Sequence, residues 1–317
     1  MDNGKLMKQE KMVNETKGSI MLMGTSVIWG LAYIAQRKGM DHIGAFTFSA
    51  VRCLIAGICM VIVIRLLNNH NGRKIVRKAD ENPKDVVLGG FFCGLALFLG
   101  MGFQQLGVAR TSIANSGFIS ALYIVIVPIL GLFIHKKVKA NIWVGIFVSL
   151  IGLALLCFEG TFKLNTGDIF MLCSATFYSL HIMCIDYFAP KVDGTKMSCI
   201  QFFVGAFFNV IAMFIFEEPT MKGILQAWLP LLYVGVLSTA VGYTLQIIGQ
   251  KFVPPTIAAM LMSLESVFAG LFGWLILHET MSFQKFMGCV VVFSAIVIAQ
   301  LPTEKIFKKK AKAEIQK

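Results

Sequence analysis

Ten apolar stretches, each of roughly the 20 residues needed to cross a hydrocarbon core of about 30 Å, run through this chain in two sets of five. They lie near Gly18–Ala35, Ala45–Ile64, Val86–Gly107, Ser112–Ile134, Asn141–Phe158, Asp168–Ile185, Met197–Phe216, Leu225–Ile248, Pro255–Leu277 and Phe283–Leu301. Lipid offers no partner to a free backbone N–H or C=O, so stretches of this kind must be helices. The two sets share a pattern. Ser112-Ile113-Ala114, running through Ile119 to Leu132, returns 144 residues later as Thr256-Ile257-Ala258 running to Ile276. Gly18-Ser19-Ile20 leading to Trp29-Gly30-Leu31 returns as Gly167-Asp168-Ile169 leading to Tyr178-Ser179-Leu180. A unit that crosses five times finishes on the side opposite its start, so its copy enters upside down. The expectation is an all-α integral membrane protein with ten transmembrane helices arranged as two inverted five-helix repeats. The repeats cover residues 18–158 and 167–301, between an N-terminal tail, 1–17, and a basic tail, 302–317.

Composition supports a membrane solvent. The chain is 56% hydrophobic and 15% charged, against about 25% charged in soluble domains. The first stretch lacks a small-residue cleavage site and is long for a signal segment, so it reads as retained. The net charge of +12 is unevenly placed. With the N-terminus in the cytoplasm, the tails and cytoplasmic loops hold 22 of the 29 Lys and Arg, six fall on the other side, and Arg52 lies inside a span. That bias expects both termini in the cytoplasm. The tail from Lys305 to Lys312 suits anionic headgroups, so membrane lipids are expected partners and nucleic acid is not. All eight cysteines fall within or at the edge of spans, without metal-like spacing, and read as small packing residues.

No extramembrane domain is expected, and the longest loop, Arg65 to Asp85, is basic and polar. Gly90 with Gly94, and Gly100 with Gly102, let helix backbones approach the third span closely. Pro128 in the fourth span and Pro254-Pro255 at the start of the ninth free backbone groups. They read as kinks re-satisfied by neighbours, with half-broken helices beside a cavity as the second reading.

An ionisable side chain at the bilayer centre costs about 2.5–3.5 kcal/mol on insertion scales, so each one is informative. Glu265 is near mid-span in the ninth stretch, and the 144-residue offset maps it onto Ala121. An acid present in one half can bind a substrate ammonium or carry a proton; the alternative is a carboxyl bonded across helices. Arg52, some 12 Å from the outer end of the second span, reads mainly as a residue that snorkels outward or ties helix ends, and secondarily as a carboxylate binder. His181 suits a proton relay or a helix–helix hydrogen bond. Asp186 reads as interfacial. Gln104, Gln105, Asn115, Tyr123, Tyr243 and Gln246, with Trp29, Tyr33 and Tyr178, offer the oriented polar groups and apolar walls of a small-molecule site. Trp29 and Tyr178 are repeat equivalents, which predicts opposite walls of one cavity. The expected substrate-binding set is Trp29, Tyr33, Gln105, Asn115, Tyr123, Tyr178, His181, Tyr243 and Glu265, with Glu265 as the coupling acid.

Paired aspartates, His-Glu-x-x-His, Gly-x-Ser-x-Gly and Gly-rich phosphate loops are all missing from the sequence. The expectation is therefore no enzyme, no cofactor, no metal, and no ATP as energy source. Trp29-Gly30, Arg52, Ala121-Leu122-Tyr123 followed by Pro128, and Ser263-Leu264-Glu265 followed by Gly273-Trp274-Leu275 and His278-Glu279 resemble the EamA-type family of the drug/metabolite transporter superfamily. The likeness runs from about residue 18 to 301, and the order of motifs in both halves is its specific part. Ser266 stands where the family often has Pro, which argues against a broken helix in the ninth span. His135-Lys136-Lys137 replaces a Gly-Glu-like turn, with no evident consequence. The resemblance implies a multi-pass carrier of the bacterial cytoplasmic membrane, commonly an exporter of amino acids or similar small metabolites. A homodimer is possible, and the alternative is a membrane-embedded enzyme or a sensor subunit.

Overall fold

The computed structural model describes residues 3–70, 82–111, 113–136, 138–157, 165–278 and 281–300. Most of the basic loop after Arg65, the loop 158–164 and the tail from 301 lie outside the described residues. The first repeat consists of α1 (Asn3–Gly39), α2 (Ala45–His70), α3 (Pro83–Val108), α4 (Ile113–Ser120) with α5 (Tyr123–Phe133), and α6 (Ala140–Cys157). The second consists of α7 (Thr166–Phe188), α8 (Gly194–Phe216), an eighth span made of α10 (Trp228–Leu232), a π-helix (Tyr233–Tyr243) and α11 (Thr244–Gln250), then α12 (Pro255–Met262) with α13 (Leu264–Leu277), and α14 (Phe283–Gln300). The short α9 (Met221–Gln226) precedes the eighth span. Eight of these spans are at least 18 residues long and apolar; Ala140–Leu156 and Phe283–Ala299 are shorter apolar helices that complete the ten among the described residues. Large side chains such as Phe133, Phe147, Phe207 and Phe214 point outward, exposed, as a lipid-facing surface requires.

The helix contacts obey a pseudo-two-fold. The second span packs on the seventh and the fifth on the tenth, each with its own repeat equivalent. The third packs on the sixth, as the first packs on the eighth; the first packs on the ninth, as the sixth packs on the fourth. The fifth and tenth spans meet backbone to backbone. A Cβ on Gly288 would stand 2.6 Å from the Leu156 nitrogen and 2.7 Å from the Gly152 oxygen, so only glycine permits this approach.

Three local findings differ from the sequence reading. First, the residues of the expected N-terminal tail are helical from Asn3 onward, continuous with the first span. No proline interrupts them, and Lys11 pairs with Glu15 one turn on, at 3.9 Å. Second, the fourth and ninth spans are interrupted away from their prolines, at Ala121-Leu122 and at Ser263. Leu122 (φ −60°, ψ −11°) and Ser263 (φ −63°, ψ −14°) tighten to i→i+3 bonding: Ile124 N–H donates to the Ala121 carbonyl (3.0 Å) and Ser266 N–H to that of Ser263 (3.2 Å). Neighbouring hydroxyls take up nearby carbonyls. Ser263 Oγ donates to Met260 (2.8 Å), Ser26 Oγ to Leu261 (2.8 Å) and Ser266 Oγ across the repeat boundary to Gly117 (2.9 Å). Ser266 thus links the two interrupted spans, and the ninth span breaks although residue 266 is not a proline. Third, His135 (φ 59°) and His278 (φ 54°) are both left-handed and follow α5 and α13, the last helices of equivalent spans. His135 therefore has a consequence after all, since it closes its helix as His278 closes the other.

Candidate functional site

A cavity near mid-span is walled by side chains from both repeats. Helical spacing explains who reaches it. Trp29, Tyr33 and Gln36 fall at i, i+4 and i+7 on α1, and Tyr178, His181 and Ile182 at i, i+3 and i+4 on α7, so each set forms one stripe. Glu265 enters from the first turn of α13, just past the Ser263 interruption, and Tyr123 from the first turn of α5, just past Ala121-Leu122. The two equivalent breaks deliver these groups to the same space.

There they join in one hydrogen-bond chain. Tyr33 and Tyr123 donate their hydroxyls to Glu265 Oε1 at 3.4 and 3.3 Å. Gln104 Nε2 donates to the Tyr33 hydroxyl (3.5 Å), Tyr178 donates to Gln104 Oε1 (3.0 Å), and the Tyr243 hydroxyl donates to that of Tyr178 (3.3 Å). The chain of six side chains draws on the first, third, fourth, sixth, eighth and ninth spans. Trp29 and Tyr178 line the same space, with Tyr243 between them: its ring lies 4.7 Å from that of Trp29, centre to centre. The π-helix presents its widened backbone to α1, where Trp29 Nε1 donates to the Ser238 carbonyl (3.0 Å) and Thr25 Oγ1 to that of Gly242 (3.2 Å).

Gln105 does not belong to the lining. It follows Gln104 by about 100° around the helix and is buried outside the lining, with neither amide atom hydrogen-bonded among the described residues. The side chain of Asn115 lies outside the described residues. His181 does line the cavity, and its Nε2 lies 3.0 Å from Gln201 Oε1. Asp186, read as interfacial, forms an ion pair with Lys136 between the ends of the sixth and fourth spans.

The largest revision concerns Arg52. It neither snorkels nor ties helix ends: it is 2% exposed, stands in the cavity wall, and makes, among the described residues, one long hydrogen bond, from Nη1 to Gln36 Oε1 at 3.5 Å. Among the described residues, Nε and Nη2 have no hydrogen-bond partner. Gln36, Ser120 and Met262 also line the space. Gln36 was readable from its place on the Trp29–Tyr33 stripe. Arg52 had no such signal, because which way a residue on an all-round apolar helix points depends on the neighbours it packs against.

All the lining residues except half-buried Trp29 are buried, and the free space is about 30 Å³. That is room for about two water molecules at 10–15 Å³ each, so the described form is closed around its polar centre. Contacts tie helix ends together on both sides. On the side where α1 begins lies the Lys136–Asp186 pair. On the far side, Arg37 Nη1 donates to the Val108 carbonyl (2.5 Å), Thr111 Oγ1 donates to Asp168 Oδ1 (2.6 Å), and Glu217 accepts from the Phe46 and Thr47 amides at the start of α2 (2.8 Å each).

The profile of the EamA-like transporter family matches this chain twice, over residues 16–158 and 165–300, which leaves only the tails and one loop unmatched. The chain belongs to the EamA-like transporter family. It is similar to an uncharacterized transporter of Archaeoglobus fulgidus, at 28% identity over 87% of this chain and 83% of that protein. It is also similar to the uncharacterized inner membrane transporter YedA of Escherichia coli, at 24% identity over 88% and 89%. A solved crystal structure superposes with a TM-score of 0.75 over 92% of this chain and 99% of that one, at 15% identity, a likeness of fold. The EamA-like chain is accordingly a multi-pass membrane protein of a transporter family, built from two repeats.

Proposed function

We propose that this EamA-like protein is a secondary transporter that carries a small metabolite, an amino acid or similar, out of the cell by alternating access. The observation that carries the reading is the hydrogen-bond chain ending on Glu265, which joins six spans of both repeats around one closed cavity. A binding site at the repeat interface, near mid-depth, is what a carrier of inverted repeats needs. The halves rock around it, and each face opens when its own contacts part: Lys136–Asp186 on one side, and the Arg37, Asp168 and Glu217 contacts on the other. Glu265 serves as the coupling acid or as the partner of a substrate ammonium. Trp29, Tyr33, Tyr123, Tyr178, His181 and Tyr243 shape the pocket. The family resemblance suggests the bacterial cytoplasmic membrane, and the Lys and Arg distribution supports both termini inside.

The test is efflux from proteoliposomes preloaded with a labelled mixture of amino acids and small metabolites, with and without an imposed pH gradient. Selective loss of one class through the native protein, absent with Glu265→Ala, is the expected result. Equal loss from native and protein-free vesicles refutes the carrier.

A further inference from the structure

Two opposite charges wall the cavity, and they do not neutralise each other. Arg52 is on α2 and Glu265 on α13; among the described residues the ion pairs are Lys11–Glu15 and Lys136–Asp186, and neither involves the cavity. Each group is at least 96% buried. Burying a charge at this depth is unfavourable by a few kcal/mol, and a scaffold would recover that by joining the two directly. Here they are held apart instead. Tyr33 and Tyr123 engage Glu265 and the Gln104–Tyr178–Tyr243 run continues from Tyr33 along the wall, while Arg52, among the described residues, has one hydrogen bond, to neutral Gln36 at the limit of bonding distance, and the face of the Phe48 ring at 6.0 Å. Two of its three guanidinium nitrogens have no hydrogen-bond partner among the described residues. A planar fork with unused donors matches a carboxylate, which can accept from two of them side by side.

We propose that the cavity takes a small zwitterion, its carboxylate received by Arg52 and its ammonium by Glu265. The inference rests on the carrier reading and narrows its substrate. A solute with only one charge would leave the opposite wall charge unpaired inside the membrane, so the two residues together select for both groups. Arg52 is then a substrate contact that positions the anion, and the aromatic rings between the charges meet the remainder of the solute. The closed form is too small for such a solute, so binding follows the opening of one face.

The test is thermal unfolding of the full-length protein in detergent micelles. It is run against each of the twenty proteinogenic L-amino acids, the matching decarboxylated amines and methyl esters, and the matching deaminated acids. The expected result is stabilisation by at least one amino acid, with its amine and ester needing concentrations about 30-fold higher or more, the size of losing one partner of a buried charge contact. Arg52→Gln abolishes that preference and Arg52→Lys keeps part of it; Glu265→Gln abolishes the preference over the deaminated acid. Native protein stabilised by no amino acid, or by amines and amino acids alike, overturns the proposal without requiring any variant to fold. The two readings fail separately. Efflux of an uncharged or singly charged solute in the vesicle assay leaves a carrier and removes the zwitterion, whereas no efflux of any solute removes the carrier itself.

Discussion

Replacing Glu265 by Gln separates a site residue from a scaffold residue, because the two roles move stability in opposite directions. The carboxylate accepts two tyrosine hydroxyls at 3.3 and 3.4 Å, both long for O–H···O bonds. The low end of the range therefore applies, about 1.5 kcal/mol for a bond to a charged group against about 0.5 for a neutral one. Gln retains an acceptor of the same shape, so the exchange loses roughly 1 kcal/mol per bond, about 2 in all. Removing the buried charge recovers up to about 2.5–3.5 kcal/mol on insertion scales. The net is a protein about 1 kcal/mol more stable, or unchanged, that has lost its coupling acid. Ala behaves differently. It forfeits both bonds, about 3 kcal/mol or more, and leaves two buried hydroxyls seeking acceptors, so Glu265→Ala ends level with the native protein or up to about 3 kcal/mol below it. Equilibrium unfolding by sodium dodecyl sulfate from mild-detergent micelles gives the free energies, and vesicle efflux gives the activity. The reasoning is refuted if Glu265→Gln is destabilised by more than about 1 kcal/mol while efflux continues at the native rate.

Further outcomes follow from the contacts at the two ends and between the short spans. A disulfide between cysteines placed at Lys136 and Asp186 should block efflux, and reduction should restore it; the ion pair itself, partly exposed, should be worth no more than about 1 kcal/mol by double-mutant cycle. Gly288→Leu forces α6 and α14 apart and should lower unfolding free energy by about 1–3 kcal/mol, with Gly288→Ala losing less. His278→Gly relieves a left-handed backbone carrying a Cβ and should leave the protein equally stable or up to about 1 kcal/mol more so, where His278→Val should destabilise it.

Much of the site was legible because helical periodicity and membrane depth are both properties of the chain. Trp29, Tyr33, Tyr123, Tyr178, His181, Tyr243 and Glu265 are polar or amphipathic groups at mid-span, and these seven line one space. The lapses share one cause. Gln104 and Gln105 occupy the same depth and differ only in azimuth, and a span that is apolar on every side gives no sign of which azimuth faces the interior. The same holds for Arg52. An arginine some 12 Å from a span's end can snorkel, unless helices close around it, and those helices come from distant parts of the chain. Prolines, where the backbone loses a donor, point to kinks nearby; the interruptions lie instead at Ala121-Leu122 and Ser263, where hydroxyls of Ser263 itself and of Ser26 and Ser266 from other helices take up nearby carbonyls.

The amino-acid sequence by itself determined the membrane solvent, the number of spans, the doubling of the unit and the depth of each polar group, because these depend on hydropathy and on position along a helix of known rise. Only the tertiary structure decided which polar groups meet, that Arg52 keeps unused donors beside the cavity, and that equivalent interruptions in two spans bring Tyr123 and Glu265 together. Those outcomes depend on how ten helices rotate and pack against one another, and a pattern apolar on all faces carries almost no information about rotation.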